Sequence, residues 1–395
     1  MRTRSAVNFT VLPELRMADY IYLDYAAATP LDPAVLDAML PYLQAEFYNP
    51  SAIYSPARQV RQAINDARSK IAANLGCRPA EIVFTAGGTE ANNLAIHGVM
   101  SRYPDGNLLV SAIEHEATIE PASQFNATVV PVKADGRIDV LNLAKTIDQQ
   151  TVLVSIMMAN NEIGVIQPMR DIARVIKTIR IERQAAGNKR PLYFHTDACQ
   201  AATYINLNVA RLGVDLMTLN GGKMYGPKQT GLLYIKGGIV LGPLIRGGGQ
   251  EQGMRSGTEN VAGIIGLAKA FELTNRRREA EVRRLTVLRD YFISHLLSQH
   301  PDATVNGSIK YRLPNNVHVT LPGCDNERLI IGFDLAGIAV AAGSACSARS
   351  DRPSHVLGAL GMGNQSARST IRFTMGLSTT ESQLDTVLKT LAALR

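Results

Sequence analysis

Lys223 stands in Asn220-Gly221-Gly222-Lys223-Met224-Tyr225-Gly226-Pro227-Lys228, directly after an apolar run over 215–219 that reads as a buried strand. Two glycines precede it and a Gly-Pro turn follows. An amine at a strand end among apolar residues is poorly solvated, and desolvation lowers its proton affinity, which makes it usable as a nucleophile toward an aldehyde. Taken alone, the same residue also suits a crossover loop. Asp197 closes a predicted strand over 193–196, in His195-Thr196-Asp197-Ala198-Cys199-Gln200. One strand-crossover unit separates it from Lys223, so both strand ends can open onto the same carboxyl edge, where α/β sites form. A carboxylate buried there needs a cationic partner. A protonated pyridine nitrogen would serve, and the pairing strengthens such a ring as an electron sink. Capping the following helix is the competing use of this Asp.

Thr85-Ala86-Gly87-Gly88-Thr89-Glu90 links a predicted strand to a predicted helix. Its glycines let backbone N–H groups approach an anion, Thr89 can cap, and the helix N-terminus adds a positive dipole. The segment lacks the Gly-Lys-Ser/Thr of a nucleotide loop and the spacing of a dinucleotide fingerprint, so a single small phosphate fits better than a triphosphate. By itself it also fits a tight turn that binds nothing. A phosphate cradle, a strand-end Asp and a desolvated Lys, in that order, suggest pyridoxal phosphate.

These residues need a scaffold that brings strand ends together. Candidate strands fall at 82–85, 108–112, 128–132, 152–158, 193–196, 216–219 and 232–235, short and rich in Val, Ile and Leu. Such runs belong to a sheet covered on both faces. Helical patterns between them, notably 90–100 and 171–185, predict an α/β fold with a mostly parallel sheet of about seven strands. Earlier, a strand or extended entry spans 20–24, Asp32-Pro33 opens a helix to about residue 45, and 58–74 reads as an amphipathic helix. Beyond Asn260 the pattern changes. Two helical stretches, 266–273 and 276–298, precede strands at 317–321, 338–340 and 372–375 and helices at 327–336 and 380–394. The expected division is a large domain over 31–273 and a smaller α+β domain from 1–30 and 274–395.

The 395 residues exceed what one core usually holds, and 46% hydrophobic with 19% charged content belongs to a globular enzyme rather than a disordered chain. Net charge is +7. Arg276, Arg277, Arg278, Arg283, Arg284 and Arg289 sit among acidic residues and helix formers, which reads as a solvated helix face and not a nucleic-acid groove. The four cysteines, Cys77, Cys199, Cys324 and Cys346, show no CxxC spacing, which argues against a disulfide framework or zinc site and for a reducing compartment. No apolar run reaches the roughly 18 residues that span a bilayer. No signal peptide is read at the N-terminus, and the cytoplasm is the expected location. The first 16 or so residues read as an extension, with Met17 an alternative start.

The chain resembles a NifS/IscS-type cysteine desulfurase, in the aminotransferase class V group of fold type I pyridoxal-phosphate enzymes. The resemblance rests on Tyr22-Leu23-Asp24-Tyr25-Ala26-Ala27-Ala28-Thr29-Pro30, Thr89-Glu90-Ala91-Asn92-Asn93, Glu114-His115-Glu116, Asn160-Asn161-Glu162-Ile163-Gly164, Asp197-Ala198-Cys199-Gln200, Lys223-Met224-Tyr225-Gly226-Pro227-Lys228, Arg255-Ser256-Gly257-Thr258-Glu259-Asn260, Gly343-Ser344-Ala345-Cys346 and Ser369-Thr370-Ile371-Arg372-Phe373. They run in family order from about residue 20 to the C-terminus.

The resemblance implies L-cysteine as substrate, L-alanine as product, and a persulfide on Cys346 that passes to an acceptor protein. Lys223 becomes the Schiff-base lysine and proton shuttle, Asp197 the partner of the pyridine nitrogen, and Gln200 a donor to the ring oxygen. His115 stacks on the ring and handles the substrate thiol proton. Gly88, Thr89, Asn220 and Gly222 line the phosphate end, which Thr258 reaches from the second subunit of a homodimer. Asn161 and Arg372 take the substrate carboxylate, a job that suits a guanidinium fork. Small residues flank Cys346 on both sides, Arg349 is a nearby cation for its thiolate, and Cys77, Cys199 and Cys324 read as structural thiols.

Five positions depart from the family pattern. Asn220-Gly221-Gly222 stands where Ser-x-His is usual, Gln252 where arginine is common, and Tyr48 and Tyr54 in place of glycine and histidine. Loss of the histidine predicts weaker cofactor retention, since one hydrogen bond to a charged group is worth roughly 1.5–3 kcal/mol. A selenocysteine lyase would share these residues without needing Cys346, and a weakly active docking homologue would show decay at Gly222. Iron–sulfur cluster assembly and nucleic-acid thiolation are both open as destinations for the sulfur.

Overall fold

The computed structural model describes residues 20–343 and 354–395. The 344–353 segment, with Cys346 and Arg349, and the first 19 residues, with Met17, lie outside it. A seven-stranded sheet runs in the order Ile82–Thr85, Gly231–Ile235, Leu216–Asn220, Tyr193–Asp197, Thr151–Ser155, Asn107–Ser111, Ala127–Val130. Gly231–Ile235 is antiparallel to both neighbours, and the other pairings are parallel. Consecutive residues alternate between two apolar clusters. Phe84, Leu109, Val154 and Leu232 enter one, while Val83, Leu108, Leu153 and Leu233 enter the other. The period-2 side-chain alternation of a strand, covered on both faces, turns an alternating pattern into a continuous apolar run.

The expected strand over 152–158 ends at Ser155. Ile156 N and Met158 N still donate to His195 and Asp197 carbonyls, but from there the chain turns across the sheet edge and lines the cleft described below. A second difference is the helix Val261–Gln299, one element of 39 residues where two stretches were expected. Thr274 and Asn275 do not interrupt it. Asn275 Nδ2 donates to Phe271 O (2.8 Å) within the helix and Thr274 Oγ1 to Met224 O (3.4 Å), so both polar side chains are satisfied without breaking the backbone ladder. Ile264, Leu267 and Phe271 pack on the large sheet, whereas Leu285, Phe292 and Leu296 pack with Val317, Val319 and Phe373. The arginines of this helix are not all a solvated face. Arg277 reaches Asp32 (2.5 Å), and Arg284 bonds Glu281 and the carbonyls of Gly376 and Thr379.

The smaller antiparallel sheet holds Thr370–Thr374, Asn316–Thr320 and Thr304–Val305. Ile21–Tyr22 pairs in parallel with Ile338–Ala339, which brings the residues that follow, 23–30, against both sheets.

Candidate active site

Parallel strands present their carboxyl ends to one edge, and here that edge opens into a cleft of about 230 Å³. At one end lies the start of the helix Gly88–Met100. Gly87 caps it without a side chain, so the first-turn N–H groups of Gly88 and Thr89 remain for an anion. A Cβ at Gly88 would fall 2.8 Å from Cys199 Sγ, so only glycine lets the helix start approach the floor this closely. Asn220, ending the strand Leu216–Asn220, lies beside it, and its side chain accepts from Gly222 N at 3.0 Å.

Asp197 ends the neighbouring strand and is buried. Its Oδ1 accepts from Cys199 N (2.9 Å) and its Oδ2 from Asn92 Nδ2 (2.6 Å). Lys223 closes the 3-10 turn Gly221–Lys223, in which a Cβ on Gly221 would meet Thr230 Oγ1 at 2.3 Å. Its Nζ donates to Ala26 O (2.8 Å) and Ala27 O (2.7 Å), in the segment that joins the two sheets. Burial, helped by the Arg372 cation, holds the Lys223 ammonium below the usual lysine range, against the pull of Asp24 and Asp197.

His115 caps the helix Glu116–Ala122, with Nδ1 accepting from Ala117 N at 3.0 Å. An imidazole bound this way carries its neutral-form proton on Nε2, the nitrogen left for proton exchange. Gln200 Nε2 is tied to Ala26 O (2.9 Å). Asn161 is set by Asn160, whose Oδ1 accepts from Glu162 N (2.8 Å) and Ile163 N (2.9 Å) and whose Nδ2 donates to Ile113 O. Arg372, 1% exposed at the centre of the strand Thr370–Thr374, donates to Asn161 O (3.0 Å) and Asp24 Oδ1 (2.6 Å) and keeps a buried Nε with no partner among the described residues.

Nine of the expected site residues therefore line one cleft: Gly88, Thr89, His115, Asn161, Asp197, Gln200, Asn220, Lys223 and Arg372. Gly222 lies one turn behind Asn220, its carbonyl accepting from Thr29 Oγ1 (3.1 Å). Thr258 is exposed and not among the cleft-lining residues of this chain. Cys346 lies outside the described residues. Sequence reasoning gave no role to Asn92 or Met157 and read Cys199 as structural, yet all three line the cleft. Cys199 is also buried, which pushes its thiol well above the ordinary range. Glu114, directly before His115, is fully buried. Its Oε1 accepts from Ser111 Oγ (2.5 Å) and Met157 N (2.7 Å), and burial pushes its carboxyl up to about 8.

The donor set fits pyridoxal phosphate. A helix start offers first-turn N–H groups, a doubly hydrogen-bonded carboxylate and a desolvated amine line the same cleft, and a buried guanidinium has one donor with no partner among the described residues. No helix among the described residues is long and apolar enough to cross a membrane.

The chain is similar to known proteins over nearly its whole length. Residues 21–387 match the family Aminotransferase class-V. "Cysteine desulfurase IscS" of Dictyoglomus turgidum is 44% identical over 378 residues, 94% of this chain and 93% of that protein. A solved structure described as "NIFS-LIKE PROTEIN" superposes with a TM-score of 0.87 at 31% identity, covering 95% of this chain and 99% of the other. Another, "SspA in complex with cysteine", gives 0.78 at 33% identity, covering 90% and 98%.

Proposed function

The chain belongs to the aminotransferase class-V family, and we propose that it is a pyridoxal-phosphate-dependent cysteine desulfurase, converting L-cysteine to L-alanine. The observation that carries this reading is the convergence of Lys223, Asp197, the Gly88 helix start and Arg372 on one cleft. Its relatives named as cysteine desulfurases, and a structural neighbour described with cysteine, support the substrate.

When bound, the cofactor supplies an aldehyde for the substrate amine and a ring that draws electrons from Cα. Gly88 and Thr89 would hold its phosphate, with Asn220 beside them, while the Gly222 backbone is taken up by Asn220 and Thr29. Asp197 pairs with its ring nitrogen and Gln200 with its ring oxygen. Lys223 Nζ, released from its carbonyl partners, takes the substrate Cα proton. Arg372 and Asn161 orient the substrate carboxylate, and His115 Nε2 exchanges the thiol proton. Cys346 attacks the substrate sulfur. The C–S bond breaks and an S–S bond forms, so that L-cysteine and the Cys346 thiol give L-alanine and a Cys346 persulfide, with hydrogen and sulfur conserved. An acceptor protein then takes the outer sulfur, toward iron–sulfur cluster assembly or nucleic-acid thiolation.

A homodimer completes the reading. Leu36, Leu40 and Leu43 form an exposed stripe at helical spacing, continued by Phe47, Ile53 and Tyr54, the last two 85% and 51% exposed. An apolar surface of that kind marks an interface, and Thr258 is exposed as a residue serving a second subunit's site must be. Sedimentation at the dimer mass is expected, and a fully active monomer excludes it. The lack of CxxC spacing among its four cysteines supports a reducing compartment, with the cytoplasm as the proposed location.

Incubation with L-cysteine and a reductant tests the function. Wild type is expected to yield alanine and sulfide. Lys223→Ala and Cys346→Ser both lose sulfide release, and Cys346→Ser keeps the cofactor colour. Undiminished turnover by Cys346→Ala, on cysteine or selenocysteine, contradicts the desulfurase and favours a selenocysteine lyase.

A further inference from the structure

We propose that Asn92 is a positioning residue for the Asp197 carboxylate and fixes the spacing between the phosphate end and the ring-nitrogen end of the cleft, an inference that rests on the cofactor reading above. Asn92 sits one helical turn beyond Gly88 in Gly88–Met100 and is completely buried. Its Nδ2 donates to Asp197 Oδ2 at 2.6 Å, the short distance of a charge-assisted bond. Its own Oδ1 has no partner among the described residues. A buried amide that leaves its acceptor unpaired is held for its donor end, because turning it over would set its oxygen against a carboxylate.

The neighbouring Asn93 shows the contrast. Its side chain returns to Thr89 O (2.9 Å) within its own helix and links nothing across the fold. Asn92, by comparison, joins the helix whose first turn faces the phosphate to the strand end whose carboxylate faces the ring nitrogen. The other carboxylate oxygen is held by Cys199 N (2.9 Å), so Asp197 is anchored from two elements and cannot rotate away from the cleft without losing one donor. The helix start and Asp197 are thereby held at one separation, and a rigid ligand that must touch both finds them already spaced.

A double-mutant cycle on the full-length protein tests this. Cofactor is removed, pyridoxal phosphate is titrated back, and its dissociation constant is read by absorbance for wild type, Asn92→Leu, Asp197→Asn and the double variant. Loss of one hydrogen bond to a charged group predicts about tenfold or more weaker binding for Asn92→Leu in the wild-type background. In the Asp197→Asn background the same change should cost less than about twofold, since the charged partner is gone. Equal losses in both backgrounds overturn the proposal and leave Asn92 a packing residue. A second readout is the kinetic split. Asn92→Leu should lower kcat roughly tenfold with KM for L-cysteine unchanged, because the substrate carboxylate is held elsewhere, by Arg372 and Asn161. A rise in KM alone contradicts it. Should Asn92→Leu not fold, Asn92→Ser enters the same cycle. Wild-type protein that takes up no pyridoxal phosphate removes the cofactor reading itself, a result distinguishable from either outcome above.

Discussion

Replacing Gly222 by histidine probes how the phosphate end of the cleft is built. The Gly222 backbone is fully used: its N–H donates to Asn220 Oδ1 (3.0 Å) and its carbonyl accepts from Thr29 N (3.2 Å) and Thr29 Oγ1 (3.1 Å). A Cβ fits at this buried position at ordinary contact distance. A Cβ built there meets nothing closer than Asn220 Oδ1 at 3.5 Å and Lys228 Cγ at 3.7 Å, and the residue is not in the left-handed region. Histidine can therefore start beside Asn220, itself a cleft-lining residue, without backbone strain. One added hydrogen bond to a charged phosphate is worth roughly 1.5–3 kcal/mol, which at about 1.4 kcal/mol per decade tightens cofactor binding about 10- to 100-fold. The gain has a sign in pH. Imidazole is a cation below its ordinary value of about 6.5, so Gly222→His should bind pyridoxal phosphate with the larger advantage at pH 6 and a smaller one at pH 8. The assay is titration of cofactor-free wild type and variant at the two pH values, followed by absorbance, with thermal unfolding as the check on folding. A folded variant that binds no more tightly at pH 6, or with an advantage that grows toward pH 8, refutes the argument that this wall lacks one cationic donor.

Two further outcomes follow from buried groups. The Glu114 carboxyl, held up at about 8 by burial, keeps a proton in the folded state that the unfolded chain releases above about 4.5, so its contribution to stability falls as pH rises through that interval. Burial keeps His97, His195, His300 and His318 below the ordinary histidine value. Between about pH 6.5 and 8 wild type should therefore lose up to about 2 kcal/mol more than Glu114→Gln in chemical denaturation, and parallel curves contradict this. Gly88→Ala should weaken cofactor binding and destabilise the fold by about 1–3 kcal/mol, through the clash with Cys199 Sγ at 2.8 Å. Adding Cys199→Ala should restore most of the stability, and a double variant no better than the single shows that the strain lies elsewhere.

The residue types that do the chemistry were legible in the chain. Lys223 after an apolar strand, Asp197 at a strand end and the glycines before Thr89 each carry a local signature, because desolvation, strand termination and a bare helix start all show in a few consecutive residues. So did the strands, whose uninterrupted apolar runs reflect burial on both faces. The continuity of Val261–Gln299 escaped, since Thr274 and Asn275 look like a break until their bonds to Met224 O and Phe271 O are seen. Tertiary structure alone decided the pairings. Asn92 on Asp197, Arg372 between Asp24 and Asn161, and the approach of Gly88 to Cys199 join residues far apart in the chain. Local periodicity records which face of an element is buried. Which buried atoms meet depends on strand order and on how closely a helix start settles on its neighbouring strand, and those distances exist only once the sheet is assembled.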